Sequence, residues 1–177
     1  MRSTLGLALV LTLSAAHAFA AQDVAGAVAG SVKAIDRGTK TCIVKTADGT
    51  EHTFHFVGRT VEHGAVATAH GSKDVFENIK EGDDVVVHYT VKGADKTAEE
   101  VDHIGKDGLK VSEVAVKSVD HAAKTVSVKT AEGAEETYHL TDRAVRETGK
   151  GLKTGVHVTI YYTEDAGKKI AHYFKEG

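Results

Sequence analysis

The sequence predicts an all-β protein: two tandem five-stranded antiparallel small barrels, OB-like, with an SH3-like barrel as the alternative. Three observations predict it. One pattern of residues is written twice along the chain. Each copy alternates apolar and polar residues with a period of two, the signature of half-buried strands. Gly-containing turns separate the alternating runs, as hairpins require.

The duplication fixes the elements. From 32–61 against 116–145, at an offset of 84, 15 of 30 positions are identical. Opening strands are expected near Val28–Ile35 and Val114–Val119. Second strands follow at Thr41–Thr46 and Thr125–Thr130. The turns Ala47–Thr50 and Ala131–Ala134 lead into third strands at His52–Phe56 and Glu136–Leu140. Fourth strands are expected at Asp84–Thr90 and His157–Thr163, now at an offset of 73, and fifth strands at Lys96–Ile104 and Lys169–Phe174. The change of offset gives the first copy 11 extra residues between Val61 and Gly82. That insertion, about 62–80, has room for a short helix over Ser72–Lys80 with Ser72 as N-cap. The expected organisation is a first barrel at 24–104, a linker at 105–112 and a second barrel at 113–177. A closed ring suits units of this size because it leaves no exposed sheet edge.

The first twenty residues read as an address. Arg2 precedes the apolar run Leu5–Leu13, and Ala18-Phe-Ala20 has the small-x-small form of a signal-peptidase site. A signal peptide over 1–20 is therefore expected, with cleavage after Ala20 and Ala16-His-Ala18 as a second site. The implied destination is the periplasm or the exterior. The run is shorter than the roughly 20 residues of a membrane span. No later segment is long and apolar enough, so no transmembrane segment is expected after cleavage.

Composition excludes several classes. The 177 residues are 41% hydrophobic and 27% charged, which suits a globular chain and not a disordered one. A single Cys excludes a disulfide scaffold and a cysteine-based zinc module. Without the signal peptide, 21 Lys and Arg face 25 Asp and Glu, a balance of −4. That surface repels a phosphate backbone, so no nucleic-acid partner is expected.

The repeated pattern also resembles a known group. Val-Lys-x-Ile/Val-Asp, Lys-Thr-x-x-Val-Lys-Thr-x-Asp/Glu-Gly, and Ile/Leu-Lys-x-Gly before a Val-rich strand are similar to a bacterial exported domain family of unknown function. The resemblance covers both copies and implies small OB-like barrels. The second copy departs from it with Gly155-Val-His where the first has Gly82-Asp-Asp. The family brings no catalytic residues.

The two copies act as controls on one another. Cys42 has Val126 as its twin, which makes it a core position filled by a small inert thiol. Parity sends Phe54, Phe56, Tyr138, Leu140, Val85, Val87, Tyr89, Val158, Ile160 and Tyr162 inward. Tyr161 is the clearest outward aromatic. Stacking aromatics on a basic groove, which an OB-like nucleic-acid binder needs, are absent.

Histidine is the residue in excess, at 11, of which ten outlast signal removal. In an oxidising compartment His is a ligand for Cu, Zn or Ni. The candidate ligands are His63, His70, His55 and His88. His63 and His70 share a face if their segment is helical, seven residues apart. His55 and His88 face outward, and His52 points opposite to His55. His103 lies near the linker, and His172 aligns with Glu99. Scattered surface histidines are the competing reading. The mature chain has no Met or Trp, which argues against a soft-ligand copper chaperone.

No nucleophile elbow, zinc-protease helix, phosphate loop or EF-hand occurs. Gly149–Gly155 is Gly-rich and basic, but it joins strands instead of opening a helix, so the phosphate-cradle mechanism fails. The expectation is an exported, non-enzymatic binding or interaction module whose partner is an unknown protein or small ligand. The alternative is a periplasmic His-mediated metal-binding protein. A third reading, an enzyme using the cleft between barrels, rests on the generic cleft argument alone.

Overall fold

A computed structural model describes residues 26–64, 75–148 and 152–177. The signal peptide, the cleavage sites, His70 and Ser72 lie outside the described residues. Ten strands appear in chain order: β1 Gly26–Asp36, β2 Thr41–Lys45, β3 Glu51–His63, β4 Asp84–Lys92, β5 Asp95–His103, β6 Lys110–Asp120, β7 Thr125–Thr130, β8 Glu135–Leu140, β9 His157–Asp165 and β10 Lys168–Glu176. Two short helices, α1 Val75–Asn78 and α2 Asp142–Thr148, each stand between the third and fourth strands of a unit. Among the described residues, no helix is long and apolar enough to cross a membrane.

The strands form two rings, β1-β2-β3-β5-β4 and β6-β7-β8-β10-β9, each closed by its first and fourth strands. The order is the same in both. The rings are not antiparallel throughout. β3 runs parallel to β5, and β8 parallel to β10. The reason is arithmetic: directions cannot alternate around an odd ring, so one neighbouring pair must be parallel.

Local sequence explains the hairpins. The β1–β2 turn is held by Asp36, whose Oδ1 accepts hydrogen bonds from Gly38 N at 2.8 Å and Thr39 N at 3.1 Å. Asp120 does the same for Ala123 N at 2.8 Å in the β6–β7 turn. Gly49 and Gly133 both take φ of 87°, where a Cβ is unwelcome. Asp48 accepts from the Thr46 hydroxyl and from Thr50 N, which holds its carboxyl down at a pKa of about 2. Equivalent bulges kink the first strand of each ring, between Val32 and Ala34 and between Val116 and Ser118.

Each ring holds one core. Phe54 and Tyr138 are completely buried twins. A lysine caps each pair of aromatics: Lys96 Nζ sits 5.9 Å from the Phe54 centroid and 5.3 Å from Tyr89, and Lys169 Nζ sits 5.4 Å from Tyr138 and 5.5 Å from Tyr162. Such contacts are worth about 0.5–1 kcal/mol at exposed sites and more when desolvated. Helix α1 drops Phe76 onto Phe56 edge-on, with centroids 5.0 Å apart, and Ile79 just beyond it is fully buried. Arg37 donates to the Phe76 carbonyl at 2.9 Å.

The second helix was not foreseen in the sequence, where the shortened stretch 148–155 reads as a turn. It forms upstream of that stretch. Thr141 is its N-cap, the side-chain oxygen accepting from Ala144 N at 3.0 Å while the Thr141 carbonyl accepts from Val145 N. Ala144 is its fully buried residue, facing the core. The stretch expected as a linker, 105–112, already contains strand, because β6 opens at Lys110. The connection is a tight turn in which Leu109 N bonds the His103 carbonyl at 2.7 Å. Gly108 is obligatory there: a Cβ on it would stand 2.0 Å from the His103 carbonyl oxygen.

A third cluster lies between the rings. Ala29, Val86, Leu109 and Tyr161 are buried against one another, with Ile104 and Tyr173 packed around them. Tyr161, the clearest outward aromatic in the sequence, does point out of its own barrel, yet it is only 8% exposed because Ala29 and Val86 of the first barrel pack against it.

Cys42 is 1% exposed, and burial raises its thiol to a pKa of about 11. Thiol-labelling of the folded protein at neutral pH should therefore leave it unmodified, with labelling appearing only in denaturant. Cys42→Val should change stability by less than about 1.5 kcal/mol, since Val fills the twin site. Phe54→Ala should cost about 3–5 kcal/mol in urea unfolding.

Candidate metal centre

The parallel pairing of β3 and β5 brings His63 opposite Asp102 and Val61 opposite Glu100. On the other side of β5, Val86 stands opposite Asp102 and His88 opposite Glu100. Strand alternation puts Glu100 and Asp102 on one face, away from the core residue Val101 between them. The outer face of β3-β5-β4 thus carries two carboxylates flanked by a histidine on each neighbouring strand.

The distances are short. His63 Nδ1 lies 2.9 Å from Asp102 Oδ1 and 3.2 Å from Glu100 Oε1. His88 Nε2 lies 3.3 Å from Asp102 Oδ2. Asp102 is 0% exposed and His88 1%, whereas half of the His63 side chain is in solvent. Arg143, from α2 of the second barrel, reaches Glu100 Oε2 at 2.5 Å. The ligand-capable atoms of His63, Glu100 and Asp102 all fall within 4.8 Å of one another.

The electrostatics follow from burial and pairing. Burial alone would push the Asp102 carboxyl up. The hydrogen bond from His63 and the close approach of the His88 imidazole outweigh it and hold the group well below the usual carboxylate range. The hydrogen bond to Asp102 raises His63, against a smaller opposing effect of burial. His172, on β10, is lowered by burial, although Asp102 and Glu100 pull it the other way.

Beside this group a small cavity of about 100 Å³ is lined by His63, Asp102, His103, Leu109, Thr163 and His172. His172 Nε2 lies 3.0 Å from the Thr163 hydroxyl. His103 turns toward different partners, with Nε2 2.7 Å from Glu62 Oε1, while Asn78 donates to Glu62 Oε2 at 2.8 Å.

The structure thus sorts the histidines expected as ligands. His63 and His88 converge on one carboxylate. His63 belongs to β3 and not to the insertion where the sequence reading placed it. His55 stands exposed between Thr41 and Thr97, and none of the group is among its strand partners. His70 lies outside the described residues. The reading of histidines as scattered over the surface does not hold for His88, which is fully buried. Sequence reasoning missed Glu100, Asp102 and His172. Asp102 falls within the expected fifth strand but carries no expected role, and His172 reads only as the counterpart of Glu99. The alternation Glu100-x-Asp102 was the available signal, since it puts two carboxylates on one face of a strand.

Fold and site together define a tandem small-barrel β protein with a histidine–carboxylate centre on the outer face of its first ring. No protein-family model matches the chain, and no curated protein does. Among solved structures it is similar to Ag(I)CusF, at 18% identity and a TM-score of 0.32, over 44% of this chain and 93% of that one. It is likewise similar to apo-CusF from Escherichia coli, at 15% identity and a TM-score of 0.32, over 41% of this chain and 94% of that one.

The His63–Asp102 contact has a definite pH signature. A raised His63 pKa means that its contribution to stability is full below the ordinary value of about 6.5 and is lost as pH rises through the raised folded value. An NMR titration of His63 should give a midpoint above that ordinary value, and Asp102→Asn should bring it down. Asp102→Ala should destabilise the fold by about 3–5 kcal/mol, because it strips the partner from buried His88.

Proposed function

We propose that the chain is an exported, non-enzymatic binding module whose ligand is a divalent transition-metal ion held by His63, Glu100 and Asp102. The observation that carries this reading is the convergence of one imidazole nitrogen and two carboxylate oxygens within 4.8 Å. The donor set suits the ion class. Imidazole with carboxylate is the chemistry of Zn, Ni or Cu(II), and it needs no thiolate or thioether, which the mature chain could supply only from buried Cys42. The buried His88 supports the arrangement, fixing Asp102 from the side away from His63 as outer-shell partners do. Export is supported by the N-terminal Arg2, Leu5–Leu13 and Ala18-Phe-Ala20 pattern. The non-enzymatic part is supported by the sequence, which carries no catalytic motif.

The proton between His63 Nδ1 and the carboxylates occupies the place that a cation would take. A metal must displace it, because only neutral imidazole ligates. Binding should therefore release protons and weaken as pH falls.

Titration of the purified protein with Zn²⁺, Ni²⁺ and Cu²⁺, following melting temperature and retained metal, tests the reading. One ion per chain is expected, with a stabilisation of about 2.7 kcal/mol at a free concentration one hundred times Kd. His63→Gln and Asp102→Asn should abolish retention. A wild-type protein that keeps no metal and shows no thermal shift would refute the assignment.

A further inference from the structure

The two barrels meet through outward strand faces, and those faces part at one end. On the first barrel, the outer face of β2-β1-β4 carries Lys45, Ser31 and Asp84 in register across the three strands. One step along, Ala29 stands beside Val86. On the second, the outer face of β6-β9-β10 carries Val111, Tyr161 and Tyr173 in one row, and Thr159 with Lys175 in the next. Ala29, Val86 and Tyr161 close on one another. Beyond them lies a cleft of about 400 Å³, between the polar row of the first barrel and Lys175 of the second. That size and that place, at an interface between two folded units, are typical of small-molecule sites.

The lining mixes an apolar floor with a charged rim. Ala29, Ile104 and Tyr161 form the floor. Val111 flanks them and is 46% exposed, an apolar side chain left in water at the mouth of the cleft. On the rim the carboxylate is already engaged, since Asp84 Oδ1 accepts from the Ser31 hydroxyl. Asp48, next to the rim residue Ala47, is likewise taken up by the Thr46 hydroxyl and by Thr50 N. The two ammonium groups are not. Lys45 and Lys175 enter no ion pair and no side-chain hydrogen bond among the described residues, whereas Lys33, Lys110, Lys117, Lys124 and Lys169 each meet a carboxylate.

We propose that the cleft between the barrels binds a small organic anion, an apolar body carrying one carboxylate. The body lies on Tyr161 and Val111, and the carboxylate is held between Lys45 of the first barrel and Lys175 of the second. An anion is favoured because both nearby carboxylates already have donors while both ammonium groups lack acceptors. Burying the body against the apolar floor supplies attraction without direction. Ammonium–carboxylate hydrogen bonds, stronger than neutral ones, then fix the orientation. A flat body suits Tyr161, because aromatic rings favour offset stacking on one another. The cleft shares no residue with the histidine–carboxylate centre, so the inference is independent of the metal reading.

The test uses the full mature chain, a chelator to keep metal out, and 2-naphthoate as the probe. NMR titration follows the backbone amides, and calorimetry gives affinity. Saturable shifts are expected at Lys45, Thr46, Val111 and Lys175, and none around His63 or His139. Lys45→Gln and Lys175→Gln should each weaken naphthoate roughly tenfold, the loss of one charge-assisted contact. The double variant should show no saturable binding. Neither lysine has a partner to lose, so all three variants should melt as the wild type does. Lys129→Gln, at the twin position of Lys45, should bind as the wild type does. 2-Naphthylmethanol, the same body without the charge, should bind roughly tenfold more weakly or worse. The assignment is overturned if naphthoate shifts no residue of the cleft, if the double variant binds it as tightly as the wild type, or if the alcohol binds equally well. Each of those results leaves the metal reading standing.

Discussion

A closed ring of five strands cannot alternate direction all the way round, and the structure turns on where each ring places its parallel neighbours. In the first barrel these are β3 and β5. Every other neighbouring pair there can be traced along a hairpin or an antiparallel return. This one joins strands separated by α1 and β4, so its register is set by tertiary packing alone. Phe56 pairs with Ala98, and then Val57–Thr60 bow out before pairing resumes at Val61 and Glu100. Thr60 secures the irregularity: its hydroxyl donates to the Ala98 carbonyl at 2.7 Å and accepts from Val57 N at 3.1 Å. That bow decides that His63, and not a neighbour one residue away, comes level with Asp102. A shift of one residue would send the histidine to the opposite face.

The same positions carry different chemistry in the two rings. The cross-strand pair His88 and Glu100 corresponds to Tyr161 and Tyr173, and Val86 and Asp102 correspond to Thr159 and Lys175. Both faces are turned toward the junction. The first supplies charge and imidazole, and the second supplies aromatic cover, its two tyrosine rings 5.5 Å apart. The division has a physical logic. A buried carboxylate needs hydrogen-bond partners at once and a low-dielectric surround in which those partners count. His63 is the hydrogen-bonding partner, His88 stands 3.3 Å from the second carboxylate oxygen, and the tyrosines with Leu109 are much of the surround.

Much of the fold was legible in the sequence, because turn and core chemistry are local. Asp36 and Asp120 announce their turns, and Gly49 and Gly133 announce hairpins. The Cys42–Val126 pairing announced a core position. The helix α2 escaped because the Gly-rich stretch after it reads as a turn, although Thr141-Asp142 is an ordinary helix start. The site was far less legible. Its two carboxylates are adjacent in alternation, but each histidine arrives from another strand. The parallel register that delivers His63 depends on a four-residue bow that no periodicity encodes. His88 and Tyr161 were read correctly as outward. What could not be read is that outward residues of one barrel become interior residues once a second barrel lies against them.

The charge pattern at the junction explains why such an arrangement can specify a geometry without adding much to stability. Asp102 loses its hydration completely; His63 hydrogen-bonds one of its oxygens, and buried His88 stands 3.3 Å from the other. Glu100 is divided between His63 and Arg143, so one of its oxygens faces its own barrel's histidine and the other faces the second barrel. Replacing buried ionic groups with well-packed apolar ones is often neutral or stabilising, whereas removing one partner is strongly destabilising. The net energy of this cluster is therefore small beside the penalty for misplacing any member. Apolar contact through Leu109, Val86 and Tyr161 tolerates some sliding, since it is non-directional. The Arg143–Glu100 contact and the Tyr173 hydrogen bond to Ala27 do not, because each requires a particular atom at a particular distance. The greasy part of the junction supplies attraction, and the polar part selects the one orientation in which His172 meets the cavity beside Asp102.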